Sequence, residues 1–129
     1  VVASAAVALD VSATKAQVGL PYNSTLQTMR LEAGATDGTA QGKVKRIDEA
    51  TVRLFRTVNA MVGGDLTTLD RISFRSAADS MDEPVPLFTG DKSIEMPSGF
   101  DQDGYVVVQQ DLPLPMTLIS VIARAQTFD

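Results

Sequence analysis

The sequence predicts an all-β fold, either an antiparallel β-sandwich or a barrel-like domain with long loops rich in Gly, Pro and Asp. Eight or nine short runs show two-residue alternation or the β-branched content that is typical of strands. Turn signals separate these runs at intervals of about 8 to 15 residues. The chain has 129 residues, enough for one domain with a real core, so residues 1–129 are predicted to form a single β domain.

The predicted strands differ in the strength of their patterns. Residues 25–32 alternate most cleanly, and residues 104–110 (GYVVVQQ) form the strongest β-branched run. The last strand, 116–128, is long and carries apolar groups on both faces, which predicts a central position in its sheet. The remaining predicted strands are 2–9, 16–20, 51–58, 69–75 and 92–96.

Residues 43–62 carry two overlapping patterns. Mainly apolar positions from Val44 to Met61 recur at helical spacing. The part 51–58 also alternates and is rich in β-branched residues, which lose side-chain freedom in a helix and pack well on a sheet. We therefore predict a strand, and a helix stays open as the alternative.

Turns and crossings are predicted where Gly, Pro and Asp gather. Residues 63–65 (GGD) have the composition of a hairpin turn. The run 112–115 (LPLP) cannot donate a full set of ladder hydrogen bonds, so it predicts a sheet edge or a crossing. The other predicted turns and loops are 33–42, 76–86, 90–91 and 97–99.

The chain contains no Cys and no His. It therefore has no thiol nucleophile, no disulfide and no Cys-type zinc site, and it lacks the usual acid–base group of neutral pH. Catalytic Ser-His-Asp and Cys-His arrangements cannot form within this chain. We expect a protein that is not an enzyme, with no cofactor and no catalytic, cofactor-binding or metal-binding residue.

The charge pattern bears on possible partners. The net charge is −5, and the one basic cluster, Lys43, Lys45 and Arg46, is followed at once by Asp48 and Glu49. We interpret this part as a solvated charged segment and not as a nucleic-acid patch. No apolar run approaches the roughly 20 residues that a spanning helix needs. We expect neither a specific nucleic-acid partner nor membrane insertion.

Two short motifs resemble ligand-binding loops. Residues 101–104 (DQDG) match part of a calcium loop but lack the later oxygen ligands and the final Glu, so a turn before a strand is favoured. Residues 38–43 (GTAQGK) resemble a phosphate loop. That motif requires Gly where Asp37 stands and a hydroxyl residue where Val44 stands, so it is rejected.

Two carboxylate pairs are the candidates for acid chemistry on a glycoside, Asp82 with Glu83 and Asp91 with Glu95. The sequence gives no separation for either pair, and acidic turns often contain such pairs. Ordinary surface charge is therefore the favoured interpretation over a hydrolase.

Tyr22 and Phe100 lie in predicted loops and are the candidates for a sugar-stacking platform, because aromatic rings can stack on the apolar faces of sugars. Packing in a turn or in the core is the favoured alternative for both. An exposed Tyr22 or Phe100 beside a groove would favour a glycan-binding module. If both were buried near a flat apolar loop patch, a structural protein would be favoured.

The chain begins with Val1, and its first eleven residues, VVASAAVALDV, lack the basic segment of a secretory signal. We expect a fragment or a processed piece of a longer protein. Loss of an initiator Met is the alternative.

Four phrases stand in a characteristic order along the chain: VGLPYNSTLQTMRLE (18–32), GTAQGKVKRIDEATVRLFRT (38–57), PLFTGDK (86–92) and QDLPLPMTLISVI (110–122). Over roughly residues 15–123, their order and spacing resemble the C-terminal region of tail-tube or nozzle-type structural proteins of tailed bacteriophages and prophages. The resemblance implies a protein of the virion tail that forms a ring with other copies of its parent chain, contacts neighbouring tail proteins and guides DNA. The alternative function is a β-sandwich carbohydrate-binding module, with a host-surface glycan as partner.

Overall fold

The computed structural model describes residues 8–16, 18–20, 22–32, 38–96 and 99–128. Within these residues it contains strands and no helix, which confirms the all-β prediction. Accordingly, no helix in this part of the chain is long and apolar enough to cross a membrane. The strands are β1 (Ser24–Gln27), β2 (Val44–Thr57), β3 (Met61–Gly63), β4 (Leu69–Arg71), β5 (Phe88–Glu95), β6 (Val107–Gln110) and β7 (Leu118–Phe128).

The strands form two sheets that share one core. The first sheet has the order β1-β6-β3-β4 and the second has the order β5-β2-β7, and every pair of neighbours is antiparallel. Apolar side chains from both sheets pack together, as in a β-sandwich. The buried members of this core are Ile47, Ala50, Val52, Leu54, Ala60, Val62, Ile72, Met96, Val106 and Val108.

The double pattern of residues 43–62 comes from two bulges in β2. Its buried positions alternate, but the step is three residues instead of two from Ile47 to Ala50 and again from Leu54 to Thr57. Register shifts against the neighbouring strands occur at the same two places, and each inserts an extra residue into the ladder. A three-residue step is also typical of a helix face. The strand prediction is confirmed, and the bulges account for the competing helical spacing.

The predicted turn at residues 90–91 is wrong, because both residues lie inside β5. Gly90 pairs with Leu54 and Asp91 with Arg53 across the ladder. Gly90 has a φ of 144°, in the region that favours glycine. It lies next to the second bulge of β2, so glycine here allows an irregular strand to continue and does not end it.

The predicted central position of β7 is also wrong. This strand forms one edge of the smaller sheet, and β2 is central. Apolar residues occur on both faces of β7 because Leu118, Val121 and Ala123 pack on the core, whereas Ile119 and Ile122 are 59% and 51% exposed on the other side.

Several predicted strands are shorter than their patterns. Segments 25–32, 69–75 and 104–110 are paired only over β1, β4 and β6. The alternation of residue types can continue where no neighbouring strand is available, but a ladder of backbone hydrogen bonds needs a partner strand. Just after β1, one further backbone hydrogen bond joins the Thr28 N–H to the Val106 carbonyl at 3.0 Å.

The structure shows neither of the two strands predicted near the N-terminus, 2–9 and 16–20, within the described residues. Residues 16 and 18–20 are irregular, so that prediction is wrong. Gly19 lies so close to Pro113 that an added Cβ would be 2.7 Å from the proline Cβ. This segment thus packs on residues 112–115, where two prolines prevent a continuous ladder of backbone hydrogen bonds. The predicted strand 2–9 falls mostly outside the described residues, and its last two, Ala8 and Leu9, are irregular.

A polar network ties the larger sheet together at its edge. The Arg71 guanidinium on β4 forms a two-pronged ion pair with Asp111, which follows β6. Asn59 is 3% exposed and bonds to both partners, accepting from Arg71 Nη1 at 2.5 Å and donating to Asp111 Oδ1 at 3.0 Å. The bonds from Arg71 and Asn59 hold the pKa of Asp111 below its ordinary value.

We expect Asp111→Asn to lower the free energy of unfolding by about 2 kcal/mol at neutral pH, because it leaves Arg71 and the buried Asn59 imperfectly paired. The depressed pKa means that the carboxylate contributes stability above the ordinary value of 3.8 and loses it as the pH falls below that value. The difference between wild type and variant should therefore shrink in acid. Urea unfolding at neutral pH and well below pH 3.8 measures it.

The matched control is Asp82→Asn, which changes an exposed loop carboxylate in the same way. We expect it to leave stability nearly unchanged at neutral pH. An equal loss in both variants at neutral pH would contradict a special role for the Arg71–Asp111 network.

Candidate functional site

A cleft of about 330 Å³ opens between the β3–β4 hairpin loop, residues 64–68, and the segment 99–105. Lys45 and Ile47 at the start of β2 line it from below. The cleft thus combines two loops with the central strand of the smaller sheet. The hairpin predicted at residues 63–65 is confirmed, since β3 and β4 pair on either side of the loop, but Gly63 is the last residue of β3 and the loop extends to residue 68.

The hairpin loop is held in shape by Asp65. Its Oδ1 atom accepts hydrogen bonds from the Thr67 N–H at 2.6 Å, the Thr67 hydroxyl at 2.6 Å and the Thr68 N–H at 2.9 Å. The hydrogen bonds from Thr67 lower the pKa of Asp65 most, and those from Thr68 lower it further. The Thr68 hydroxyl also bonds to this carboxylate, so Asp65 holds both threonines of the loop beside the cleft. Gly63 is required at the loop base, because an added Cβ would lie 2.1 Å from the Thr68 carbonyl oxygen.

The opposite wall is fastened to β2 through Lys45. The backbone N–H and carbonyl of Lys45 each bond to Asp101 at 2.7 Å. Its side chain is buried, with 1% of the residue exposed, and Nζ donates to the Gln102 carbonyl at 3.1 Å. Gly104 has a φ of 62° and comes close to the Lys45 stem. Three hydrogen bonds and one close approach therefore fix the segment 101–104.

The buried Lys45 corrects the prediction of a solvated basic cluster. Lys45 faces inward in the same alternation phase as Ile47, and this phase was the signal in the sequence that could have placed it. Arg46 faces outward, where Nε lies 3.1 Å from Asp48 Oδ1. The cluster is thus divided between the interior and the surface.

Residues 101–104 form a bend before β6. The Asp103 carboxylate lies 2.8 Å from Arg30 Nε and is thus engaged in an ion pair. No group of Asp and Glu side chains among the described residues has the arrangement that could hold a metal ion.

Phe100 stands beside the cleft, and 57% of it is exposed. Its ring contacts Phe128 edge to face, with centroids 5.1 Å apart and planes at 85°, and the Arg46 guanidinium carbon lies 6.0 Å from its centroid. Tyr22 is 61% exposed but does not line this cleft. Phe100 therefore meets the condition that favours glycan binding, and Tyr22 meets only the exposure part of it.

The two carboxylate pairs lie elsewhere and do not converge. Asp91 is bound by Arg53 through two hydrogen bonds of 2.8 Å, which lower its pKa. Glu95 is four positions along the same strand, about 13 Å away at the usual rise per residue. Asp82 and Glu83 line a separate groove with residues 11–15. Neither pair shares the cleft with Phe100.

No protein-family model and no curated protein matches the chain. A functional proposal therefore rests on the residues and on the geometry just described.

We expect Gly104→Ala to lower the free energy of unfolding by about 1 kcal/mol. A Cβ there would need the left-handed φ of 62° and would lie 3.4 Å from Lys45 Cδ. The matched control is Gly99→Ala in the same wall, where an added Cβ meets nothing within 4 Å. Chemical denaturation of both variants measures the difference, and equal stability would contradict the fixed geometry of residues 101–104.

Proposed function

We propose that the chain is a non-enzymatic structural domain of a phage tail, of the tube or nozzle type, that acts through contacts between copies in a ring. The observation that carries this proposal is the pair of open edges on the smaller sheet. Within the described residues, no strand pairs with the outer side of β5 or β7, and these strands are 8 and 11 residues long. Unpaired N–H and carbonyl groups along such edges are a template for another chain.

The direction of the strands defines the contact. β5 and β7 both run antiparallel to β2, so they run parallel to each other. If β7 of one copy meets β5 of the next copy in the same orientation, the two strands pair in parallel. This contact uses two different surfaces, and such contacts close into rings when the rotation between copies permits.

Charges along one row of the sheet support this contact. Glu49 on β2 pairs with Glu95 on β5 and with Arg124 on β7. The two glutamates are like charges placed opposite each other, which is unfavourable within one sheet. Arg124 is 78% exposed, and its Nη1 lies 3.9 Å from Glu49 Oε2. In a ring, Arg124 would also stand beside Glu95 of the next copy and compensate that repulsion.

Apolar surface adds a second line of support. Ile119 and Ile122 are exposed on the outer face of β7, and in the N-terminal segment Val11 and Leu20 are 76% and 86% exposed. Large exposed apolar surface favours contact with another protein. The phage part of the proposal rests on the resemblance of the four phrases. The net charge of −5 suits a channel through which DNA passes without sticking.

The proposed contact is tested by disulfide trapping, which is clean because the chain has no Cys. The double variant Glu95→Cys with Arg124→Cys places thiols on either side of β2, about 10 Å apart within one chain. This distance is too long for an internal disulfide. Mild oxidation of the purified chain should give cross-linked oligomers, which native mass spectrometry resolves into a closed ring of one mass.

The matched control is Asp91→Cys with Gln126→Cys, which places two exposed thiols on the same edge strands but opposite Arg53 and Arg46 of β2, well apart along the sheet. This pair should not form a ladder. Equal cross-linking of both pairs, or no cross-linking of the first pair, would contradict the β7–β5 contact.

The location in a virion is tested separately with an antibody against this domain. Immunogold imaging of particles from the host that encodes the chain should show label in a ring on the tail. If no particle carries label, the phage assignment is wrong, and the cross-linking result still decides whether the sheet edges associate.

A further inference from the structure

We propose that the cleft beside Phe100 is a binding site for a neutral saccharide. This inference does not depend on the ring contact, because the cleft and the open sheet edges are different surfaces. It rests on an exposed aromatic ring, a set of hydrogen-bonding groups and the local charge, all within one opening of about 330 Å³. That volume is at the small end of ligand pockets and fits about one or two sugar rings.

The aromatic platform is held in place before any ligand arrives. Phe128 fixes one side of the Phe100 ring through the edge-to-face contact at 5.1 Å, while 57% of Phe100 is still exposed. A sugar ring has an apolar face of C–H groups that can cover such a ring and remove it from water. A platform that is already ordered loses little conformational freedom on binding, which favours affinity.

Hydrogen-bonding groups surround the platform. Asp65 lines the cleft, and its carboxylate is held by the N–H and hydroxyl groups of Thr67 and Thr68. Asp101 and Tyr105 also line the cleft, and the Tyr105 phenol oxygen accepts a hydrogen bond from Arg30 Nε at 3.3 Å. Sugar hydroxyls donate to carboxylates and can accept from an N–H or O–H group.

Lys45 forms the base of the cleft. It lines the cleft although the residue is only 1% exposed, and its Nζ atom donates to the Gln102 carbonyl at 3.1 Å. The bonded ammonium therefore fixes the segment that carries Phe100, and the exposed groups above it make the contacts with a ligand.

The charges select a neutral ligand over an acidic one. Asp65 and Asp101 line the cleft with the buried Lys45, and the Arg46 guanidinium near the Phe100 ring is paired with Asp48. The whole chain has a net charge of −5. A uronic or sialic acid would bring its carboxylate close to these groups and would be repelled. We therefore expect neutral hexoses or N-acetylhexosamines to bind, and their acidic counterparts to bind much more weakly.

The test begins with a printed array of neutral and acidic oligosaccharides and the intact chain. The best neutral oligosaccharide is then titrated and followed by ¹H–¹⁵N NMR. Binding should shift the amide signals of residues 64–68 and 99–105. Phe100→Ala should weaken binding by about tenfold or more, because the stacking platform is lost. Asp101→Ala should also weaken it, since this exposed side chain can be removed while the backbone bonds to Lys45 stay.

The matched control is Phe55→Ala, which removes an aromatic ring of similar exposure, 47%, near the opposite end of β2. It should leave the affinity unchanged, and circular dichroism of all three variants shows whether the fold is retained. The proposal is overturned if no neutral saccharide on the array binds, if acidic saccharides bind better, or if folded Phe100→Ala binds as tightly as the wild type. None of these results would alter the cross-linking expected at the sheet edges.

Discussion

Pairing of β2 on both of its sides is the constraint on which the rest of the structure depends. This strand holds β5 on one side and β7 on the other, and its inward face supplies the buried Ile47, Val52 and Leu54. At its last residue, the Thr57 hydroxyl accepts a hydrogen bond from the Thr117 N–H at 3.0 Å and fixes the chain that enters β7. Near its beginning, Lys45 binds the segment that forms one wall of the cleft. One strand therefore positions both the open edges and the cleft.

The two bulges in β2 allow this one strand to pair with both β5 and β7 and also to hold the wall of the cleft. The second bulge places Phe55 and Arg56 together on the exposed side, with Arg56 at a φ of 47°. The bulge removes the Arg56 N–H from the ladder, and this N–H donates instead to the Thr89 hydroxyl at 3.1 Å. A side chain on the neighbouring strand thus compensates for an irregular backbone, so the sheet continues through the bulge.

The sequence contains the signals for the strands but not for their neighbours. Alternation in residues 51–58 and the β-branched run before Gln110 predicted real strands, because these patterns are local. The bulges and the edge position of β7 depend on which strand lies alongside, and nothing in one strand's own residues specifies its neighbour. For the same reason, the apolar groups on both faces of residues 116–128 predicted a central strand, although Ile119 and Ile122 are exposed.

The residues of the cleft, too, could be predicted from the sequence only in part. Phe100 was a candidate because an aromatic residue in a loop is a local feature. Its neighbours in space, Asp65 and Lys45, are distant in the sequence and were not identified as part of a site. The inward phase of Lys45 could have been recognised from the alternation with Ile47, whereas the approach of the hairpin loop is a tertiary result.

The edge-to-face contact between Phe100 and Phe128 connects the two proposed surfaces, since Phe128 is the last residue of β7. A neighbouring copy that moves the end of this strand would therefore also move the ring at the mouth of the cleft. Thermodynamic linkage then requires a reverse effect of equal size, so that a bound saccharide would change the contact between copies by the same factor. In such an arrangement, one aromatic pair would couple assembly to the recognition of a surface glycan.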